Sequence, residues 1–201
     1  MNTTHTFVHA PANSLSSIGS ERAALVVTSP PYPLITMWDD VFSSQSEAAS
    51  QALKREDGKA AFEAMHVLLD EAWETCRDNL IEGGLLCINI GDTVRTFDGG
   101  FQLFSNYARV ITVMERLGLT ILPSIIWRKP ANSPTKFMGS GMLPGGAYVT
   151  LEHEHILIAR KGGLRRPRSE DERLRRRRSA IFWEERNEWY SDLWTLRGGR
   201  Q

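Results

Sequence analysis

Short apolar runs alternate along this chain with longer stretches in which apolar residues recur every three or four positions. Ala23-Ala24-Leu25-Val26-Val27 is continuously apolar, which predicts a strand buried on both faces, as in a parallel sheet. From Gly58 to Ile81 the residues Phe62, Met65, Leu69, Trp73, Cys76 and Leu80 fall at helical spacing, with Gly83-Gly84 as the stop. Leu85 to Ile90 reads as a second buried strand. Phe101, Phe104, Ala108, Ile111, Met114 and Leu117 repeat the helical spacing up to Gly118. Leu119–Trp127 and Thr150–Ala159 read as further strands, and Thr6–Ala10 as a short one at the start. Pro11–Ser20 and Pro33–Glu47 read as polar connections. The alternation of strand and helix predicts an α/β fold, Rossmann-like and doubly wound, around a mostly parallel sheet. Residues 128–148, rich in Pro and Gly, form a long loop, a length more often functional than structural.

Thr28-Ser29-Pro30-Pro31-Tyr32 follows the first buried run directly. Each proline fixes φ near about −65° and removes a donor, so the preceding carbonyls are held outward. Tyr32 is expected to present a flat ring at the mouth of this loop. Fixed acceptors beside an aromatic face suit a planar group bearing an amino function, such as an extruded nucleobase. The same residues in another setting would be an ordinary Pro-rich turn.

These residues resemble the catalytic loop of the amino-methylating DNA methyltransferases, a Ser/Asp/Asn-Pro-Pro-Tyr/Phe tetrapeptide, and the serine form after Thr28 looks most like the cytosine-N4 branch. Gly83–Asp92, Ile125–Asn132 and Leu151–Lys161 resemble the three strand segments that follow in that family, in order and spacing. The resemblance covers residues 5 to 197. It implies S-adenosylmethionine as cofactor, double-stranded DNA as partner and a role in restriction-modification; the low cysteine count separately fits a reducing cytoplasm. It also implies roles for named side chains. The Ser29 hydroxyl and Pro30 carbonyl accept from the amino group, which bends its nitrogen toward tetrahedral geometry and frees the lone pair. Pro31 stiffens the loop and Tyr32 stacks on the base, an interaction worth about 1–3 kcal/mol. Adenine-N6 methylation is the alternative activity.

The chain departs from the family in one respect. Enzymes with an early Pro-Pro-Tyr loop carry an Asp-Pro-Phe-x-Gly-x-Gly type cofactor loop in their C-terminal half, and no such run occurs here. Gly139-Ser140-Gly141 lacks the strand–turn–helix setting of a nucleotide loop. Pro11 and Ala12 stand where relatives often carry an acid after their first strand. The fold is therefore expected to be incomplete, with a second chain supplying the cofactor half. A non-catalytic DNA-binding or subunit fragment is the reading from another class.

Remaining candidates follow from position. Thr28, Asn89 and Asp92 are assigned to the cofactor side, because ligands of doubly wound sheets bind at strand C-terminal ends. Asp92 equally suits steadying of the catalytic loop or a helix cap. Trp127 and Lys129 face DNA or, for Trp127, the core. His153 and His155 share a strand face, yet no third ligand lies at a recognisable spacing, and no metal is expected.

Composition adds little until the charges are mapped. The 201 residues are 41% hydrophobic and 24% charged with a formal net charge of +0, ordinary globular values. The two cysteines, Cys76 and Cys87, read as small core residues. The N-terminus lacks the basic and apolar regions of a signal peptide, and no apolar run is long enough for a bilayer. Leu164–Arg178, however, holds eight arginines against three acids. Arg165, Arg166, Arg168, Arg175, Arg176, Arg177 and Arg178 are candidate phosphate contacts, as is Lys129; the alternative is a solvated helix paired with Glu170, Asp171 and Glu172. The domain reading is residues 1–161 for the catalytic part and 162–201 for an Arg-rich, aromatic tail that contacts DNA or docks a partner.

Overall fold

The computed structural model describes residues 3–13, 22–129, 138–140 and 142–196. Five strands make the main sheet: β1 (Ala23–Thr28), β2 (Leu80–Ile90), β8 (His153–Lys161), β5 (Leu119–Arg128) and β9 (Leu193–Trp194), in that spatial order. β1 is parallel to β2 and β5 to β9. β8 lies antiparallel to both β2 and β5. Four strands thus share one direction, and a single reversed strand sits at the centre. The mostly parallel α/β sheet expected from the sequence is present.

Helices α1 (Asp39–Gln45), α2 (Glu47–Lys54) and α3 (Gly58–Asn79) link β1 to β2, and α4 (Asn106–Arg116) precedes β5. The starts of α2 and α3 are capped by side chains, Ser46 accepting from the Ala49 amide and Asp57 from the Ala60 amide, which satisfies otherwise orphaned donors. The core forms where Leu86, Ile88 and Ile90 of β2 and Leu157 and Ala159 of β8 meet Met65, Leu69 and Trp73 of α3 and Val110, Val113 and Met114 of α4. Arg109 ties the two long helices, 3.0 Å from Asp70 and 2.9 Å from Glu63. The opposite sheet face is less covered. β1 is an edge strand, and Leu25 and Val27 are 54% and 72% exposed. Burial of β1 on both faces is therefore not observed: its apolar run has no layer over its outer side among the described residues.

Several boundaries differ from expectation. Residues 6–10 form no strand. The stretch Pro33–Glu47 is not a loop, since a 3-10 turn at Thr36–Trp38 leads into α1, whose first turn carries Asp39 and Asp40 and whose Phe42 is buried. α3 ends at Asn79, and Gly83 at φ +75 lies inside β2, where it absorbs a register shift, instead of stopping the helix. Phe101 and Phe104 sit on a hairpin of β3 (Thr93–Phe97) and β4 (Gly100–Phe104), not on a helix. Asp98 and Gly99 turn that hairpin with φ of 45 and 71, the positive pair that a two-residue hairpin turn demands. Of the expected loop 128–148, residues 130–137 and 141 lie outside the described residues. β6 (Met138–Gly139) pairs there with β7 (Ala147–Tyr148). The expected tail runs through α5 (Glu170–Arg178) and α6 (Trp183–Trp189) and then adds β9 to the sheet, so it is not wholly separate from the catalytic part. Cys76 and Cys87 are half-buried free thiols. No described helix is long and apolar enough to cross a membrane.

A polar clamp joins the loops after β1 and β2. The Asn106 amide, fully buried at the start of α4, donates to the carbonyls of Gly91 (3.0 Å) and Pro33 (3.3 Å) and to Thr93 Oγ1 (3.2 Å). Its Oδ1 lies 2.9 Å from His66 Nε2, which must then carry a proton, and His66 Nδ1 has no partner. Burial lowers the His66 pKa from 6.5 to about 4. As pH falls below 6.5 the unfolded chain takes up a proton that folded His66 refuses until about pH 4. That difference is worth at most about 3 kcal/mol and is absent above pH 6.5. Unfolding midpoints should therefore drop from pH 6.5 toward 4, and His66→Gln, which keeps a donor to Asn106 without titrating, should flatten the drop. Asn106→Ala should cost about 1–3 kcal/mol in urea unfolding, because it strands the Gly91 carbonyl and an imidazole proton, while Pro33 keeps the Thr93 hydroxyl.

Candidate active site

The first loop leaves β1 at Thr28 and is pinned from its far end. Tyr32, Pro33 and Leu34 are buried, whereas Ser29 is exposed and Pro30 and Pro31 are intermediate. Leu34 is 1% exposed and adopts φ 65, a conformation that costs a branched residue energy and persists only where its surroundings enforce it. Here the Leu34 amide meets Met65 Sδ at 3.4 Å and its carbonyl accepts from Arg95 at 3.4 Å. Arg95 is in turn held by Asp39 at 2.8 Å. Ile35 donates back to the Tyr32 carbonyl at 3.2 Å. The loop is thus rigid at Tyr32–Leu34 and open at Ser29.

Tyr32 does not offer a free ring at the loop mouth. It is 9% exposed, and its hydroxyl is turned into a polar group. That hydroxyl donates to Glu154 Oε2 at 3.0 Å, accepts from Asn89 Nδ2 at 2.8 Å and lies 3.2 Å from Ser29 Oγ. Asn89 Nδ2 also donates to Glu154 Oε2 at 2.7 Å, and Lys129 Nζ pairs with Glu154 Oε1. Gly91 makes room: a Cβ there would sit 3.1 Å from Glu154 Cγ and 3.3 Å from Tyr32 Cε2. The inward turn follows from the polar partners, since a buried hydroxyl left unpaired is costly. Burial, reinforced by the Glu154 carboxylate, pushes the Tyr32 phenol well above its ordinary range despite an opposing contribution from Ser29. Burial alone would raise Glu154, but hydrogen bonds from Lys129 and Asn89, the Lys129 charge and the Tyr32 hydroxyl outweigh it and hold the carboxyl low. Glu154 is therefore ionised at neutral pH.

Of the sequence candidates, the structure brings together Ser29, Tyr32, Asn89 and Lys129, and it leaves others elsewhere. Asp92 is a helix cap: its Oδ1 accepts from the Tyr107 amide and its Oδ2 from Ser105 Oγ, each at 3.0 Å. Both oxygens thus accept from the start of α4, the capping alternative that the sequence also offered. Asn89 points into the Tyr32 group, with its Oδ1 buried and unpartnered. Thr28 pairs with Ile88 at the strand end. The Trp127 indole donates to the Leu196 carbonyl at 2.9 Å and has Lys129 Nζ 4.5 Å above its ring, so it is held by the tail. His155 stacks on Tyr107 at 3.9 Å and meets His153 edge-on at 4.9 Å. No cluster of three or more His, Cys, Asp or Glu able to hold a metal occurs among the described residues.

The arginines lie apart from the loop. β8 runs back from His153, beside the loop, to Lys161, a span of roughly 25 Å at about 3.3 Å per residue. Arg165 follows at that far end, its backbone against Gly83. Arg165, Arg166 and Arg168 thus border the opposite end of the sheet, lining a groove with Ile81, Glu82 and Glu172. Arg165 pairs with Glu172 at 3.7 Å and Arg173 with Glu170 at 3.3 Å. Arg175, Arg176, Arg177 and Arg178 form the exposed end of α5.

Glu154 is the member of this polar group that reading the sequence missed. Strand alternation sets it on the face opposite His153 and His155, and the histidines drew the metal question instead.

Known proteins share both the sequence and the fold around this loop. The family described as DNA methylase matches residues 23–200. The type II methyltransferase M.MthZI of Methanothermobacter thermautotrophicus is 46% identical over 196 residues, covering 97% of this chain and 55% of its own length. The type II methyltransferase M.MjaI of Methanocaldococcus jannaschii is 40% identical over 210 residues, covering 99% of this chain and 69% of its own. A solved structure of a provisionally assigned DNA modification methylase from Thermus thermophilus, complexed with S-adenosyl-L-methionine, superposes with a TM-score of 0.62. It shares 25% identity over 92% of this chain and 66% of that one. The chain spans about half to two thirds of the length of these proteins.

Asp92→Ala should lower stability by about 1 kcal/mol through removal of the cap and speed exchange of the Tyr107 amide, read by urea unfolding and hydrogen exchange.

Proposed function

Because the chain belongs to the DNA methylase family, we propose that it is the catalytic segment of an S-adenosylmethionine-dependent enzyme that methylates an exocyclic amino group in double-stranded DNA, cytosine N4 in particular. The observation that carries this reading is the loop itself: Ser29 is exposed on a turn whose next residues, Tyr32 to Leu34, are locked into the core. A hydroxyl and the Pro30 carbonyl fixed side by side can hold the two protons of an amino group. Its nitrogen then directs a lone pair at a sulfonium methyl. No strong base is needed, since the nitrogen becomes acidic once methylated. Preorganised acceptors of this kind cost no rearrangement at the moment of reaction. Tyr32 serves through its hydroxyl as well as by bounding the base seat. The serine form of the loop favours cytosine N4 over adenine N6, and the relatives' type II names suit restriction-modification in the cytoplasm.

The remaining half seats against β1 in this reading. β1 is the terminal strand of the sheet, its outer edge unpaired among the described residues and Leu25 and Val27 exposed. Such an edge is a template for another strand. A second polypeptide, or further length like that of the relatives, supplies the cofactor half there, with Thr28 at the junction. S-adenosylmethionine would supply the methyl group. Lys129, beside the loop, and the exposed arginines of α5 contact phosphates, the latter at a distance from the reacting base. Arg165, Arg166 and Arg168 extend that surface to the far end of the sheet.

Joined with a polypeptide carrying the length that the Methanothermobacter relative has beyond this chain, the protein should methylate DNA, with N4-methylcytosine recovered on nucleoside mass spectrometry. N6-methyladenine would establish the other branch. Ser29→Ala should abolish the product, and full activity in the Ser29→Ala, Tyr32→Ala double variant would refute the assignment. Replacing Arg175–Arg178 by Gln should shallow the salt dependence of DNA binding by about 0.9 in log–log slope for each phosphate no longer neutralised.

A further inference from the structure

We infer that Glu154 is a positioning residue that sets the direction of a hydrogen-bond chain through Tyr32 to Ser29, so that the Ser29 hydroxyl faces the reacting base as an acceptor only. The inference rests on the proposed methyl transfer for its purpose, but its geometry belongs to this chain alone.

The proton count leaves one arrangement. A phenol has one proton to give and two lone pairs to receive. An ionised Glu154 can only accept, so the Tyr32 proton goes to Oε2 at 3.0 Å. Asn89 Nδ2 can only donate, and its two hydrogens reach the Tyr32 oxygen and Glu154 Oε2 at 2.8 and 2.7 Å. Reversing the Asn89 amide would set its oxygen against a carboxylate. One lone pair on Tyr32 then remains, and Ser29 Oγ lies 3.2 Å away. Ser29 must therefore donate inward. Its own lone pairs are left pointing outward from an exposed position.

Lys129 completes the chain by occupying Glu154 Oε1, which keeps the carboxylate charged in a half-buried setting. A hydroxyl free to rotate would accept from an amino group or donate to a carbonyl with equal ease. A hydroxyl whose proton is committed inward can only accept. The chain thus favours a base edge that bears an amino group over one that bears a keto oxygen, because the latter would meet lone pairs with lone pairs. Ser29 touches the substrate in this scheme, whereas Glu154 acts through Tyr32.

The sign of one titration tests the direction. With 3-fluorotyrosine incorporated, whose phenol is more acidic, the Tyr32 resonance is assigned by its absence in Tyr32→Phe. Ser29→Ala removes an exposed side chain and leaves the fold in place. If Ser29 donates, its loss should raise the Tyr32 pKa; a lowered or unchanged value would overturn the inference. Glu154→Gln should lower the same pKa, with the other three fluorotyrosine signals unmoved as the check on folding. In the reconstituted enzyme, Glu154→Gln should reduce kcat about ten- to hundredfold, the loss of one charge-assisted hydrogen bond, with KM for DNA little changed and Glu154→Asp restoring part of the rate. Wild-type turnover in Glu154→Gln, beside an active parent, would overturn the positioning role and leave the methyltransferase reading intact. A parent that methylates nothing would overturn the functional reading, and the amino-group role of the chain with it, while the titration still reports the direction of the bonds.

Discussion

The structure depends on a buried hydroxyl that had to be satisfied. Once Pro30 and Pro31 carry the chain out of β1, Tyr32 is buried and its hydroxyl turns toward polar side chains of the sheet. A buried, unpaired hydroxyl is expensive, so the neighbouring strands must supply partners, and they do: Asn89 from the end of β2 and Glu154 from the start of β8. Glu154 is itself a charge that burial disfavours, which requires Lys129 from the end of β5. Three strands are tied at one corner by the consequences of one inward-facing tyrosine. Removing a single member would leave another charge or donor stranded, which is why such groups act as units.

A second tie works from below. Asn106 holds the carbonyls after Tyr32 and after β2 together, and His66 holds Asn106. The loop is thus fixed on one side through side chains of the sheet and on the other through the start of a helix. Complete burial of the Leu34 side chain offsets the cost of its left-handed backbone. Rigidity at Tyr32–Leu34 and exposure at Ser29 are two results of the same anchoring.

Much of this was legible in the sequence, and what was not has physical causes. The strand–helix alternation and the loop stood out because apolar periodicity and prolines act locally. The Asp98-Gly99 hairpin was also written locally, but Phe101 and Phe104 happened to continue a helical spacing, and that spacing concealed the turn. Gly83 looked like a helix stop although it lies within a strand, since a glycine signals an unusual φ without saying which element it interrupts. Glu154 was invisible as a site residue for a different reason. Its meaning comes from β8 lying between β2 and β5, and no local pattern reports strand neighbours. Asp92, just past the end of β2, could not be seen to cap a helix until the start of α4 was located. The arginines show the same limit: eight in a short run announce a charged surface, but only the reversal of β8 carries Arg165 to the end of the sheet away from the loop.

The polar group beside Ser29 draws on no residue outside the sheet corner where it sits. Every side chain that orients Ser29 lies between residues 29 and 154, and none of them sits on the exposed outer side of β1. The acceptor geometry is therefore complete without a layer over Leu25 and Val27. Cofactor binding is a different matter, because the described residues present no glycine-rich strand–turn–helix that could cradle S-adenosylmethionine. The open edge of β1 lies one strand away from the polar corner, so a half that added its own strand there would bring its cofactor to the exposed side of Ser29 without disturbing Tyr32, Asn89 or Glu154. In the proposed reaction, base-gripping and methyl supply would be separable, because the polar group beside Ser29 is held by bonds across β2, β8 and β5 and the cofactor would enter across β1.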